Sequence, residues 1–386
     1  MLESAIALAV SAFEKLTIVH RNLTKAKDRL KFAIKFARQF AIIVLTGPTG
    51  VGKTTLLSQF VAEFLAEHAD AMRDNPSLRP IAYTIAVASG HRNFDFKRLC
   101  RDGLRSLDDP FCKDRDTRND GRQPTTILNG ESAAVAVLRE QLEIAFKSHG
   151  TKVWIIDEAQ HCIRGANRGG PGGQFDILKS ISQTAGVQLV LCGPHDLPDS
   201  ISLSGQLSRR SEVIRLDRYR WGDKKEVGEF ASAIASVMSQ MPHGLAHPPV
   251  KGNLRYFYLQ TMGCVGIFKD WISRAYQLVL QEGAESLTLR HFQETQLTPL
   301  QLATINNEII QGELAFAGQE AAMDMQLVRA ILGGGRRPKN SSTGKQGDVG
   351  ETGAPAPVTP EKPKPQSPTG APFERNATRD VVGEEA

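Results

Sequence analysis

What the 386-residue sequence lacks narrows the field first. Its five cysteines, Cys100, Cys112, Cys162, Cys192 and Cys264, are odd in number and show no CxxC spacing, so neither a disulfide framework nor a zinc site is indicated and a reducing cytoplasm is expected. No apolar run approaches the roughly 18 residues of a membrane span. The N-terminal MLESAIALAVSAF has no basic leader and carries Glu3, so it reads as an amphipathic helix rather than a signal peptide. Charge of one sign is also scarce: 47 basic against 42 acidic side chains leave a net +5, which permits a nucleic-acid partner without demanding one. After Leu332 large apolar residues nearly vanish, and roughly a third of residues 333–386 are Gly or Pro, too little apolar surface to offset the entropy of ordering. A disordered tail is expected over 333–386. Within it, 372–383 (PFERNATRDVVG) regains Phe373, Val381 and Val382 among paired charges, which suits a short partner-docking motif or simply more tail.

What is present is a core. With 41% hydrophobic residues the chain can build an α/β domain and a smaller one beside it. Residues 1–40 read as an N-terminal helical segment, with Leu23, Leu30, Ile34 and Ala37 at helical spacing. Five short apolar runs follow, AIIVLT (41–46), IAYTIAV (81–87), KVWIID (152–157), VQLVLC (187–192) and EVIRL (212–216), separated by longer helical or polar stretches. Near-continuous apolar strands interleaved with helices predict a parallel five-stranded sheet sandwiched by helices over 41–220. Strand signals stop near Trp221, so 221–332 is expected to be a small helical domain.

The first strand runs into GPTGVGKTT, Gly47 to Thr55. Its spacing matches the phosphate-binding pattern GxxxxGK[ST], and each type has a physical task. Gly47, Pro48, Thr49, Gly50, Val51 and Gly52 form a turn whose backbone N–H groups converge on one concavity, and the next helix adds its positive N-terminal end. Lys53 reaches the β- and γ-phosphates, Thr54 offers a hydroxyl to Mg²⁺, and Thr55 extends the first helical turn. The periodic LLSQFVAEFLAEH that follows supplies that helix. About a hundred residues on, VWIIDE (153–158) ends an apolar strand in two acids. Asp157 is the second candidate for the Mg²⁺ site and Glu158 the candidate general base for an attacking water. No NKxD base-reading motif for guanine is present, so ATP is the expected nucleotide. DEAQH (157–161) is close to a helicase string, but the SAT triplet of those enzymes is absent.

Taken in order, FEKLTIVHRNL (13–23), GPTGVGKTTLL (47–57), IIDEAQHC (155–162), LVLCGPHDL (189–197), GQLSRRSEVIRLDRY (205–219) and GCVGIFKDWISRA (263–275) resemble AAA+ ATPases, and more narrowly the TnsC/TniB family of transposition ATPases. The resemblance implies an α/β AAA+ P-loop NTPase with a small C-terminal helical domain. It also implies ATP and Mg²⁺ as cofactors, hydrolysis of ATP to ADP and phosphate, and a ring or helical filament of copies on duplex DNA. A transposase and a target-selector protein would be the partners, in a prokaryotic cytoplasm with no membrane association. By position it places Arg209 or Arg210 as an arginine finger reaching the neighbour's γ-phosphate, a task suited to a permanent, forked charge; two exposed arginines at a helix end is the alternative. Lys269 matches a sensor-2 cation or else a solvated helix face. Where the family carries Gly-Thr after the fourth strand this chain has Gly193-Pro194, which leaves open whether His195 substitutes for the sensor-1 hydroxyl.

The family resemblance places DNA contact on SGHRNFDFKRLCRDGLRSL, where Arg92, Lys97, Arg98 and Arg101 recur near helical spacing, accompanied by His91 and Arg105. Such cations give sequence-independent affinity with strong salt dependence. Asp95, Asp102, Asp108 and Asp109 nearly cancel them, so an ordinary solvated face is equally open. The loop RGANRGGPGGQ (164–174) adds Arg164 and Arg168 as weaker contacts. Two other readings stand beside transposition. One is an ATPase of a secretion or envelope system, which would be expected to bring a membrane span or wall-binding module. The other is a nucleotide-regulated adaptor acting mainly through its tail.

Overall fold

Alternation along five apolar runs builds one sheet. In a computed structural model describing residues 2–36, 42–88, 94–107, 131–162, 170–198, 211–241 and 246–333, these runs become β1 (Ile42–Thr46), β2 (Ile81–Ile85), β3 (Val153–Asp157), β4 (Gln188–Gly193) and β5 (Ser211–Arg215). All neighbours pair in parallel in the order β2-β3-β4-β1-β5. The three inner strands β3, β4 and β1 are buried along their whole length, as a sheet covered on both faces requires.

Successive side chains point to opposite faces, so each strand feeds two cores. Ile42 and Val44, Trp154 and Ile156, and Leu189 and Leu191 pack against α5 (Phe96–Ser106), α6 (Glu131–Ser148) and α7 (Gly170–Ala185). Ile43 and Leu45, Val153 and Ile155, and Val190 and Cys192 face the other way, onto Leu23 and Leu30 of α2 (Arg21–Lys35) and Leu56 and Phe60 of α3 (Lys53–Glu67). A short α4 (Ala69–Asp74) follows α3. The N-terminal helical stretch breaks at residues 16–20 into α1 (Leu2–Lys15) and α2 rather than running on as one helix. Phe13 and Ile18, on either side of that break, enter a third core and give the chain a reason to turn there.

That third core is helical throughout. Phe230, Phe257, Phe268, Trp271 and Phe292 come from α8 (Lys224–Ser239), α9 (Val250–Thr261), α10 (Val265–Glu282) and α11 (Leu289–Thr295). A final helix, α12 (Pro299–Gly333), returns Ile309 to the sheet's α2–α3 side. The chain divides by internal contacts into Met1–Val328 and Arg329–Ala386. The sheet, its flanking helices and the cleft described below lie in the first. Residues 334–386, including the candidate motif at 372–383, lie outside the described residues. Among the described residues no helix is long and apolar enough to cross a membrane.

Register sets the site. Thr46 pairs with Gly193 on one side and Arg215 on the other, and Ile85 pairs with Asp157, so the chemistry-bearing residues gather at the carboxyl ends of the strands. In open α/β sheets this edge is where ligand crevices form.

Candidate functional site

The loop between β1 and α3 is shaped by two left-handed turns: Gly50 has φ 72° and Gly52 φ 107°, values that side chains with a Cβ rarely adopt. Thr46 Oγ1 donates to Pro194 O at 2.7 Å and ties the end of β1 to the chain leaving β4. Lys53 opens α3, and its Nζ donates to Gly47 O at 2.8 Å and Pro48 O at 3.0 Å, so the ammonium sits over the loop it follows. The first-turn N–H groups of α3, which have no acceptor within the helix, open into the same space.

Thr54 and Asp157 meet across 103 residues of sequence, with Thr54 Oγ1 donating to Asp157 Oδ2 at 2.9 Å. Asp157 is 3% exposed at the end of β3, and the same Oδ2 accepts from the Tyr83 hydroxyl at 2.9 Å while Oδ1 accepts from Glu158 N at 2.9 Å. Burial, then the Asp157 charge and hydrogen bond, push the Tyr83 phenol well above its ordinary range, so it stays a donor. A hydroxyl and a carboxylate side by side are the hard oxygen ligands that suit Mg²⁺, and the pair fits that ion. Glu158 sits at φ 55°, an uncommon backbone for a non-glycine residue, and its Oε2 accepts from Gln160 Nε2. Both residues line the cleft.

That cleft measures about 660 Å³ and is bordered by Thr49, Lys53, Thr54, Thr55 and Glu158 on the sheet side and by α10 opposite. The start of α10 rests directly on the loop: Ile267 N donates to Gly50 O at 3.1 Å, and a Cβ on Gly266 would come within 2.3 Å of that oxygen. Lys269, one turn on, lines the cleft but spends its ammonium on the end of α1, donating to Glu14 O at 2.6 Å and to Leu16 O. Burial lowers its pKa. From α12, Glu308 enters the cleft and accepts from Thr49 Oγ1 at 2.8 Å. His195 lines an adjoining cleft of about 290 Å³ beneath α12.

Residues 47–55, 157, 158 and 269 are thus brought together. Arg209, Arg210, Arg92, Arg164 and Arg168 lie outside the described residues. Lys97, Arg98 and Arg101 fall on α5, whose N-cap Asp95 accepts from Arg98 N at 3.0 Å. Asp102 ion-pairs with both Arg98, at 3.6 Å, and Arg105, at 3.0 Å. Tyr83 and Glu308 escaped the sequence reading. Tyr83 had a faint signal as a polar-tipped residue inside an apolar strand, whereas Glu308 had none, one acid among many on a helix 259 residues from Thr49.

Residues 37–201 match the family model of an AAA domain. With the strand order and the strand–loop–helix at Gly47–Thr55, this gives the chain an AAA+ P-loop NTPase fold. Among solved structures, the chain is similar to the Aeropyrum pernix ORC2 protein in its ADPNP-ADP complexes, at 11% identity over 74% of this chain and 71% of that one, TM-score 0.48. It is also similar to domain III of the Thermotoga maritima replication initiation protein DnaA, at 16% identity over 72% and 92%, TM-score 0.41. A third is a mutant of Thermotoga maritima RuvB, at 15% identity over 70% and 68%, TM-score 0.38. No curated protein matches the sequence.

Proposed function

We propose that the protein is an ATP-dependent, non-sequence-specific duplex-DNA-binding ATPase that oligomerises on target DNA and links target-site selection to a transposase. The observation carrying the ATPase part is the Thr54–Asp157 pair at 2.9 Å, with Glu158 beside it in the same cleft. The phosphate loop and Lys53 hold the polyphosphate, Thr54 and Asp157 hold Mg²⁺, and Glu158 takes the proton of the attacking water. When bound, Mg²⁺ supplies neutralisation of charge on the phosphates. Adenine selection rests on the absence of a guanine-reading motif. The transposition part rests on the ordered resemblance to the TnsC/TniB motifs from Phe13 to Ala275. In this reading Arg209 or Arg210 reaches the neighbouring subunit's γ-phosphate, Lys269 serves as the sensor-2 cation once its ammonium leaves the Glu14 and Leu16 carbonyls, and α5 presents Lys97, Arg98 and Arg101, with Arg92 before it, to the DNA backbone. ATP favours assembly because only the triphosphate can contact the neighbour's arginine.

The test is fluorescence anisotropy of a labelled duplex with a slowly hydrolysed ATP analogue, with ADP and without nucleotide, over a salt series. Binding is expected only with the analogue and weakens steeply with salt. Replacing Lys97, Arg98 and Arg101 together by Ala should weaken it and flatten the salt dependence by up to about 0.9 log units per lost contact. No DNA binding in any nucleotide state would leave an ATPase but remove the transposition reading.

A further inference from the structure

Glu308 is a carboxylate where phosphate binding calls for none. It accepts from Thr49 Oγ1 on the loop itself, and it shares the cleft with Glu158. A polyphosphate entering this space meets a resident negative charge beside the loop that must cradle it.

The helix bearing Glu308 is held down by contacts that reach across the fold. Ile309, 1% exposed, joins the same core as β1. Gly312 lies against His195 so closely that a Cβ there would come within 2.5 Å of the ring. Phe316 meets the His195 ring edge-on at 5.6 Å and lies under the Arg215 guanidinium at 4.6 Å. Glu313 takes Arg218 in a two-pronged ion pair at 2.8 and 2.9 Å.

His195 lies beneath this helix. It is 6% exposed, yet neither ring nitrogen has a hydrogen-bond partner among the described residues. Lifting the helix would open this ring, which already lines the adjoining cleft, to solvent. Lys53 meanwhile rests on Gly47 O and Pro48 O, carbonyls it must share or leave to reach a phosphate.

We infer that α12 is a strap that holds the phosphate loop in a low-affinity state, with Glu308 as the group that competes with polyphosphate; this rests on the reading of the cleft as an ATP site. Binding of ATP requires the Glu308 carboxylate to leave Thr49, and any event that lifts α12 primes the site.

The experiment is titration of fluorescently labelled ATP, with Mg²⁺, into the full chain and three variants, with melting temperatures recorded for each. Glu308→Gln keeps the size and an acceptor for Thr49 but removes the charge, and it should tighten ATP binding about five- to tenfold. Labelled AMP should gain less, because fewer phosphate charges are relieved. Gly312→Leu wedges α12 off His195 and should tighten ATP binding as well. Lys53→Ala is the control for the site. If Lys53→Ala abolishes binding but Glu308→Gln, still folded, binds ATP no more tightly than the parent, the strap is refuted and the nucleotide site stands. If the parent binds no ATP and Lys53→Ala changes nothing, the nucleotide site itself falls, and the strap with it.

Discussion

Glu158 combines a left-handed backbone at φ 55° with a carboxylate in the cleft, immediately after the buried Asp157. A non-glycine residue in that conformation stores strain that the surrounding structure must hold, and such outliers cluster where function fixes a side chain's direction. The neighbouring acid has the opposite environment: Asp157 accepts from three groups, whereas Glu158 accepts from Gln160 alone among the contacts described. Full ligation suits an ion-holding role for Asp157 and light ligation suits proton transfer by Glu158. Glu158→Gln should therefore bind ATP as the parent does while losing about a hundredfold or more in hydrolysis. Phosphate release measured beside labelled-ATP binding checks both halves. A variant that still hydrolyses at the parent's rate would remove Glu158 as the base.

Elements differ in how much of them could be read from sequence. The sheet, the loop at Gly47–Thr55 and the Asp157–Glu158 pair were legible, because a buried strand, a glycine turn and a strand-end acid are local patterns. The break between α1 and α2 was not, since only the distant helical core shows why Phe13 and Ile18 must turn inward. The same holds for α12, whose helical reading gave no hint that one acid reaches the loop. At the break, His20 is the N-cap of α2, with Nδ1 3.1 Å from the Tyr219 hydroxyl, and burial lowers its pKa to about 4. A neutral buried imidazole with a depressed pKa contributes stability that is complete above the unfolded value near 6.5 and is lost as pH falls toward 4. The loss is about 3 kcal/mol at most. His20 makes no side-chain cap to α2, whereas His20→Asn supplies a residue suited to the N-cap that cannot titrate, so urea melts of parent and variant should converge or cross between pH 6.5 and 4. Parallel stability curves across that window would show that His20 does not report on the junction.

Across the whole molecule, the cleft gathers the phosphate loop, Lys53, Thr54 and Glu158 and, among the described residues, no group placed for stabilising a γ-phosphate from outside. Lys269, the one further described cation lining it besides Lys53, is engaged with the carbonyls of Glu14 and Leu16. A permanent charge supplied by a second copy completes such a site, and Arg209 or Arg210, just before edge strand β5, is the proposed donor. In the proposed function hydrolysis is a property of an interface between two copies, with one giving the loop and the other the arginine. Mixing makes this measurable. Lys53→Ala subunits have intact arginines and a broken loop, while the variant of Arg209→Ala and Arg210→Ala that removes the finger has the reverse defect, so Lys53→Ala and that variant should each be nearly inactive alone. Combined with duplex DNA, the pair containing the true finger variant should regain up to about a quarter of the parent's phosphate release, the share of random neighbour pairs that join an intact arginine to an intact loop. If neither arginine variant is rescued while the parent is active, the finger acts within its own subunit or lies elsewhere. Rescue of one only would name it.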